Sequence, residues 1–155
     1  MSKMKIVNEI KLSFPSKSCN EGFSRVAAAA FASLADPSVS DITEIKTAVS
    51  EAVTNCIVHA YRTKTGAIEI TARLLENSRF YIRIKDFGCG IENVREAMQP
   101  LYTTAPEEER AGLGFAVMES FMDKVTVKSR PGKGTTVIME KKLHTKDEAH
   151  EQSEK

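Results

Sequence analysis

Residues 68–85, IEITARLLENSRFYIRIK, alternate apolar and polar side chains twice, with a break in the middle. Ile68, Ile70, Ala72 and Leu74 share one parity, and Phe80, Ile82 and Ile84 repeat the pattern. A period of two belongs to a strand with one buried face, because successive side chains point to opposite sides of the pleat. Glu76-Asn77-Ser78 supplies turn-forming residues between the runs, so the stretch predicts a β-hairpin whose apolar face needs a cover.

The cover lies upstream. Ile42, Ile45, Val49, Ala52, Val53, Cys56, Ile57 and Ala60 follow a helical period, which predicts a helix from Ser40 or Asp41 to about Ala60 with a core-facing stripe. Asp36-Pro37 separates it from a first helix, expected from Ser18 or Asn20 to about Leu34. The apolar face of that first helix reads as Phe23, Val26, Ala27, Ala30, Phe31 and Leu34. Residues 6–14 alternate as a half-buried strand, with Ile6, Ile10, Leu12 and Phe14 on one parity, and Pro15 ends it.

Downstream of the hairpin, a short helix is expected around Glu92–Met98, then a mobile loop over 99–112. A helix from about Gly114 to Met122, a strand at Val125–Val127, a turn over 131–134 and a last strand Thr136–Lys142 complete the chain. The expected fold is an α/β (α+β) two-layer sandwich: one mixed, mostly antiparallel sheet covered on one face by helices. A single domain spans 1–143, and 144–155 reads as a charged, disordered tail.

Composition removes several function classes. Lys plus Arg number 22 against 21 Asp plus Glu, a net charge of +1, so there is no basic field for nucleic-acid phosphates. Cys19, Cys56 and Cys89 are an odd set without C-x-x-C spacing, which reads as reduced thiols of a cytoplasmic protein. No apolar run approaches the roughly 20 residues that cross a bilayer.

Four constellations remain. Glu51, Asn55 and His59 stand at i, i+4 and i+8 opposite the apolar stripe, on one polar ridge. Alone, such a ridge is usually a solvated helix face; functionally, it pairs a proton-accepting carboxylate with an amide oxygen fit for Mg²⁺. Asp86-Phe87-Gly88-Cys89-Gly90 follows a strand end, where an aspartate can accept from an exocyclic amine such as adenine's; otherwise it is a capped turn. Gly112-Leu113-Gly114-Phe115 precedes the expected helix, whose N-terminal amides could bind phosphate, with Arg110 near enough to assist. Gly132-Lys133-Gly134-Thr135-Thr136 is a hairpin turn and lacks the glycine spacing of a P-loop.

In this order and spacing, Glu51-x-x-x-Asn55, Asp86-x-Gly88-x-Gly90, Gly112-x-Gly114 and Gly134-Thr135 resemble the GHKL ATPase superfamily and its Bergerat nucleotide fold. Residues 45–61 (IKTAVSEAVTNCIVHAY), 99–104 (QPLYTT) and 111–123 (AGLGFAVMESFMD) resemble the bacterial anti-sigma factor serine kinases, anti-sigma F factors above all, with the anti-sigma B kinases as cousins. The resemblance covers about residues 5–143. It implies ATP and Mg²⁺ as cofactors, a sigma factor and an anti-anti-sigma factor phosphorylated on serine as partners, and pairing of two copies through the first strand and neighbouring helix. It implies Glu51 as general base and Asn55 as the magnesium ligand. Asp86 would read the adenine amine, with Gly88, Gly90 and Thr135 around the ring. Thr104, Gly112 and Gly114 would meet the phosphates, Arg110 the γ-phosphate and the partner, and Arg25 the partner. Without the resemblance, Arg25 reads as a surface residue paired with Glu21 at i, i+4. Two alternatives stay open: a detached histidine-kinase ATPase domain, and a nucleotide-dependent binding module without transfer.

Overall fold

The structure, a computed structural model, describes residues 4–99 and 106–145, with the backbone alone over 106–113. Five strands form one sheet: β1 (Ile6–Pro15), β2 (Ala67–Leu75), β3 (Arg79–Asp86), β4 (Lys124–Arg130) and β5 (Gly134–Lys142), in the order β1-β2-β3-β5-β4. The hairpin read from the sequence is β2–β3, with Leu75 opposite Arg79 and Asn77 and Ser78 both at positive φ in the turn. Every pairing is antiparallel. The sheet therefore holds no parallel pair among the described residues, where a mixed one was expected.

Helices α1 (Cys19–Ala32), α2 (Val39–Asn55), α3 (Val94–Met98) and α4 (Pro106–Phe121) complete the sandwich. The buried stripe of α2, with Ile45, Val49, Ala52 and Val53 each at most 1% exposed, meets Ile70, Ile82, Ile84 and Met139 of the sheet. Removing so much apolar surface from water is the main force holding the layers together. The Ser38 hydroxyl caps α2 by accepting from Asp41 N at 3.1 Å. Buried Asp41 in turn accepts from His144 N at 2.6 Å, and Lys141 Nζ lies 2.6 Å from Glu44 and 2.8 Å from the Phe121 carbonyl. The last strand is thus fastened to the start of α2 and the end of α4.

Two expectations fail. Most of the large residues of the face expected to be buried do not meet the core: Phe23 and Val26 of α1, and Leu34 just beyond it, are 59%, 56% and 68% exposed, while Phe31 is buried. Ser24, Ala28, Ala29 and Ala32 turn inward beside it, because small side chains allow α1 to lie close against α2. The expected loop over 99–112 also ends early, since α4 begins at Pro106. Proline is well placed at a first helical position, and Glu107–Glu109 suit the positive end of a helix dipole. Residues 100–105, Thr104 among them, and the tail beyond 145 lie outside the described residues.

Candidate functional site

After Asn55 the second helix widens into a π-turn, Cys56–Ala60, closed by Tyr61 N donating to Cys56 O at 3.2 Å. Such insertions recur at functional sites because they re-aim the residues that follow. Here Ala60 and Tyr61 reach the end of β3. The Ala60 carbonyl accepts from Cys89 N at 3.0 Å, and the Tyr61 hydroxyl accepts from Phe87 N at 2.7 Å while donating to Ala67 O at 2.5 Å. The Asp86–Gly90 turn is therefore hung on the helix that carries Glu51 and Asn55.

Asp86 is 3% exposed, and its Oδ1 accepts from Gly88 N at 2.9 Å and Thr135 N at 3.2 Å. Burial pushes its carboxyl above the usual 3.8, against the pull of those amides and of the Cys56 thiol. Cys56, one residue past Asn55, is itself pushed well above the ordinary thiol value, first by burial and then by the Asp86 charge. The Thr135 and Ser129 hydroxyls lie 2.7 Å apart, and Ser129 also accepts from Ile91 N at 2.8 Å. Thr135 is thus joined to Asp86 through its backbone amide. Gly88 and Gly90 are demanded by neighbouring backbone: a Cβ would stand 2.4 Å from Ala60 O in one case and 2.0 Å from Arg130 O in the other.

The ridge on α2 and the turn after it borders a cleft, its residues half-buried. Glu51, Asn55 and His59, with Thr54, Val58, Gly114 and Val117, line a cleft of about 270 Å³ between α2 and α4. A Cβ on Gly114 would come within 3.1 Å of Glu51 Oε2 and 3.4 Å of Asn55 Nδ2. Asn55 Nδ2 is the one buried side-chain polar atom without a hydrogen-bond partner among the described residues. An orphaned buried donor costs on the order of 1–3 kcal/mol, so this corner is a candidate for a ligand's contact. The glycine pair itself is placed differently from expectation. Gly112 and Gly114 lie inside α4, so they do not present a helix N-terminus to a phosphate. Gly114 acts instead by leaving the cleft open beside Glu51. The side chain of Arg110 lies outside the described residues, as does the surrounding of Gly112.

Glu51 also borders a second cleft, of about 250 Å³, with Arg25, Thr43, Lys46, Thr47 and Ser50. Arg25 Nε lies 3.8 Å from Glu21 Oε1, the helical pair anticipated, and Ser50 Oγ donates to the same carboxylate. Arg25 and Glu51 are thereby brought to one surface. Tyr61 and Ser129 are the polar residues that sequence reading missed. The signal for Tyr61 was Gly66, whose missing side chain makes room for the ring: a Cβ would stand 2.1 Å from Tyr61 Cε1.

The profile of the histidine kinase-like ATPase domain matches residues 20–141. The anti-sigma F factor of Caldanaerobacter subterraneus subsp. tengcongensis is 56% identical over 138 residues, 89% of this chain and 96% of that one. That of Clostridium acetobutylicum is 52% identical over 136 residues, 88% and 94% of the two chains. Among solved structures, the RsbU and RsbW domains of a Mycobacterium tuberculosis protein superpose with a TM-score of 0.65 at 19% identity, covering 88% of this chain and 32% of that one. The histidine kinase domain of a blue-light activated kinase from Erythrobacter litoralis gives 0.52 at 16% identity, over 81% and 60%. The two structures share the fold.

Proposed function

Because the chain belongs to the histidine kinase-like ATPase family and, within it, to the anti-sigma F factors, we propose that it is an ATP-dependent protein serine kinase that also holds a sigma factor inactive. The observation that carries this reading is the convergence on one helix of Glu51, the orphaned Asn55 amide and the suspended Asp86 turn. Each matches a task that phosphoryl transfer from a nucleotide requires: a proton acceptor, a ligand for the counter-charge, and a hold on the base.

ATP and Mg²⁺ fit the residues present. The cleft beside Gly114 is open where a methyl group would close it, and the buried corner of Asn55 wants a partner. A half-turn of the amide exchanges its nitrogen for oxygen, the donor that magnesium prefers. Asn55 would be the residue that holds the ion, through its side-chain oxygen. Bound there, magnesium neutralises phosphate charge. Glu51 accepts the proton of the attacking serine hydroxyl. Asp86 accepts from the adenine amine, with Thr135 on the same edge and Gly88 and Gly90 shaping the turn. Gly114 leaves room for the phosphates beside Glu51, and phosphate contacts by Thr104, Gly112 and Arg110 rest on the family resemblance alone.

The second cleft supports a partner surface beside Glu51. Arg25 stands on the surface that a serine must cross to reach Glu51, so an anti-anti-sigma protein and the sigma factor would contend for it. An inhibitor of a sigma factor would act in the cytoplasm; separately, no helix among the described residues is long and apolar enough to cross a membrane.

Incubation with γ-labelled ATP, magnesium and the anti-anti-sigma protein of the same genome tests the reading. Label on a partner serine is expected; label on a histidine of this chain, or none at all, would overturn it. Glu51→Ala should retain ATP while losing about 10²–10⁴ in transfer rate, the usual contribution of a general base. Loss of nucleotide binding in that variant contradicts the role. Arg25→Ala should weaken both partner complexes and leave ATP affinity unchanged.

A further inference from the structure

The hydroxyl of Tyr61 occupies an unusual place in the sheet. Strands β2 and β3 pair as far as Ile68 and Asp86, so Ala67 and Phe87 would form the next rung. Their backbone groups do not meet directly. The Tyr61 hydroxyl stands between them, donating to Ala67 O at 2.5 Å and accepting from Phe87 N at 2.7 Å. One phenol oxygen thus holds the ladder open by its own width at the residue after Asp86.

The ring has no freedom to drift. Gly66 lies beneath it, where a Cβ would stand 2.1 Å from Cε1 and 2.4 Å from Cζ. Gly66 is itself held by Ser16, whose hydroxyl accepts from Gly66 N at 3.0 Å and whose amide donates to Gly66 O at 2.8 Å. On the far side, Cys89 N and the Ala60 carbonyl fix the other end of the turn at 3.0 Å. Asp86 is therefore located by two attachments to the end of the α2 helix, and only one of them uses a side chain.

We propose that Tyr61 is a positioning residue for base recognition: its hydroxyl, wedged between Ala67 O and Phe87 N, sets the place at which the Asp86 carboxylate meets the exocyclic amine of the nucleotide. This rests on the reading of Asp86 given above. The Asp86 Oδ1 is committed to Gly88 N and Thr135 N, so the carboxylate can turn little to follow a displaced base. A shift of the Phe87 amide moves the acceptor itself. Hydrogen bonds weaken steeply with distance and angle, so a small displacement is felt by the amine and not by the phosphates.

The test compares ATP with inosine triphosphate, which carries a carbonyl oxygen in place of the amine. Tyr61→Phe keeps the ring and removes the wedge; Gly66→Ala keeps the hydroxyl and pushes the ring away. Both are measured by calorimetry with magnesium, below the unfolding midpoint of each variant. ATP affinity is expected to fall about fivefold in each, the worth of one hydrogen bond, with inosine triphosphate affinity unchanged. Equal losses for both nucleotides, or no loss in either variant, overturn the proposal by leaving Tyr61 a purely structural role or none. If the parent protein binds the two nucleotides equally, the Asp86 reading itself fails and takes this inference with it.

Discussion

Gly114 faces Glu51 across the seam between α2 and α4, and a methyl group on it would stand 3.1 Å from Glu51 Oε2. It lies well inside a 16-residue helix, where glycine costs about 1 kcal/mol relative to alanine. The position gives up helix stability to keep a cleft open. Gly114→Ala is therefore expected to stabilise the nucleotide-free protein by up to about 1 kcal/mol in urea unfolding. The same variant should lose transfer activity by at least about tenfold, since sub-ångström displacement of a reacting group is costly. Stability and activity moving together, in either direction, would show that the cleft beside Gly114 is not where the nucleotide phosphates sit.

Asp86 should give the protein a pH signature. Burial holds its carboxyl above the usual 3.8, so the folded chain keeps the proton more tightly than the unfolded chain. The group's contribution to stability is then fully present below 3.8 and is lost as pH rises through the raised folded value. At neutral pH the ionised form is carried at a cost. Asp86→Asn retains an acceptor for the Gly88 and Thr135 amides and removes that charge. Thermal unfolding should show the variant at least as stable as the parent at neutral pH, with its advantage shrinking as pH falls toward 3.8. Its ATP affinity should drop, because a carboxamide can turn an N–H toward the base amine. A variant less stable than the parent at neutral pH, with no acid convergence, contradicts this account.

What the sequence made legible divides along physical lines. The β2–β3 hairpin and the stripe of α2 were readable because large apolar residues at period 2 or 3.6 leave a single face to bury. The first helix was not, since it is apolar on two faces: Phe23 and Val26 on one, Ala28, Phe31 and Ala32 on the other. Periodicity cannot say which face turns inward when close helix packing favours the smaller residues. The start of α4 was hidden by Pro106 and the glycine pair, which break helices in the interior but are tolerated where they stand here. Glu51, Asn55 and Asp86 were legible as candidates, because their polar side chains stand at fixed spacing on a helix and at a strand end. Tyr61 was not, because its work depends on a backbone amide 26 residues away, brought near by a π-turn that no local pattern announces.

The outward face of α1 yields the last prediction. Phe23 and Val26 are 59% and 56% exposed, and on the neighbouring edge strand β1, Ile6 and Val7 are 44% and 66% exposed. Strand β1 ends the sheet, so one row of its backbone groups has no partner strand among the described residues. An apolar helix face beside an open sheet edge is a surface that soluble proteins normally cover. A second copy of the chain can cover both at once by a two-fold pairing, the self-complementary arrangement common in homodimers. The parent protein is expected to sediment as a dimer. Phe23→Glu buries a charge in that interface and should give monomers, as should Val7→Lys at the strand edge. Each variant should bind ATP as the parent does, because neither position lines the α2–α4 cleft. A parent chain that sediments as a monomer, or dimers untouched by both substitutions, would place the contact elsewhere and leave the α1 stripe for the sigma factor to cover.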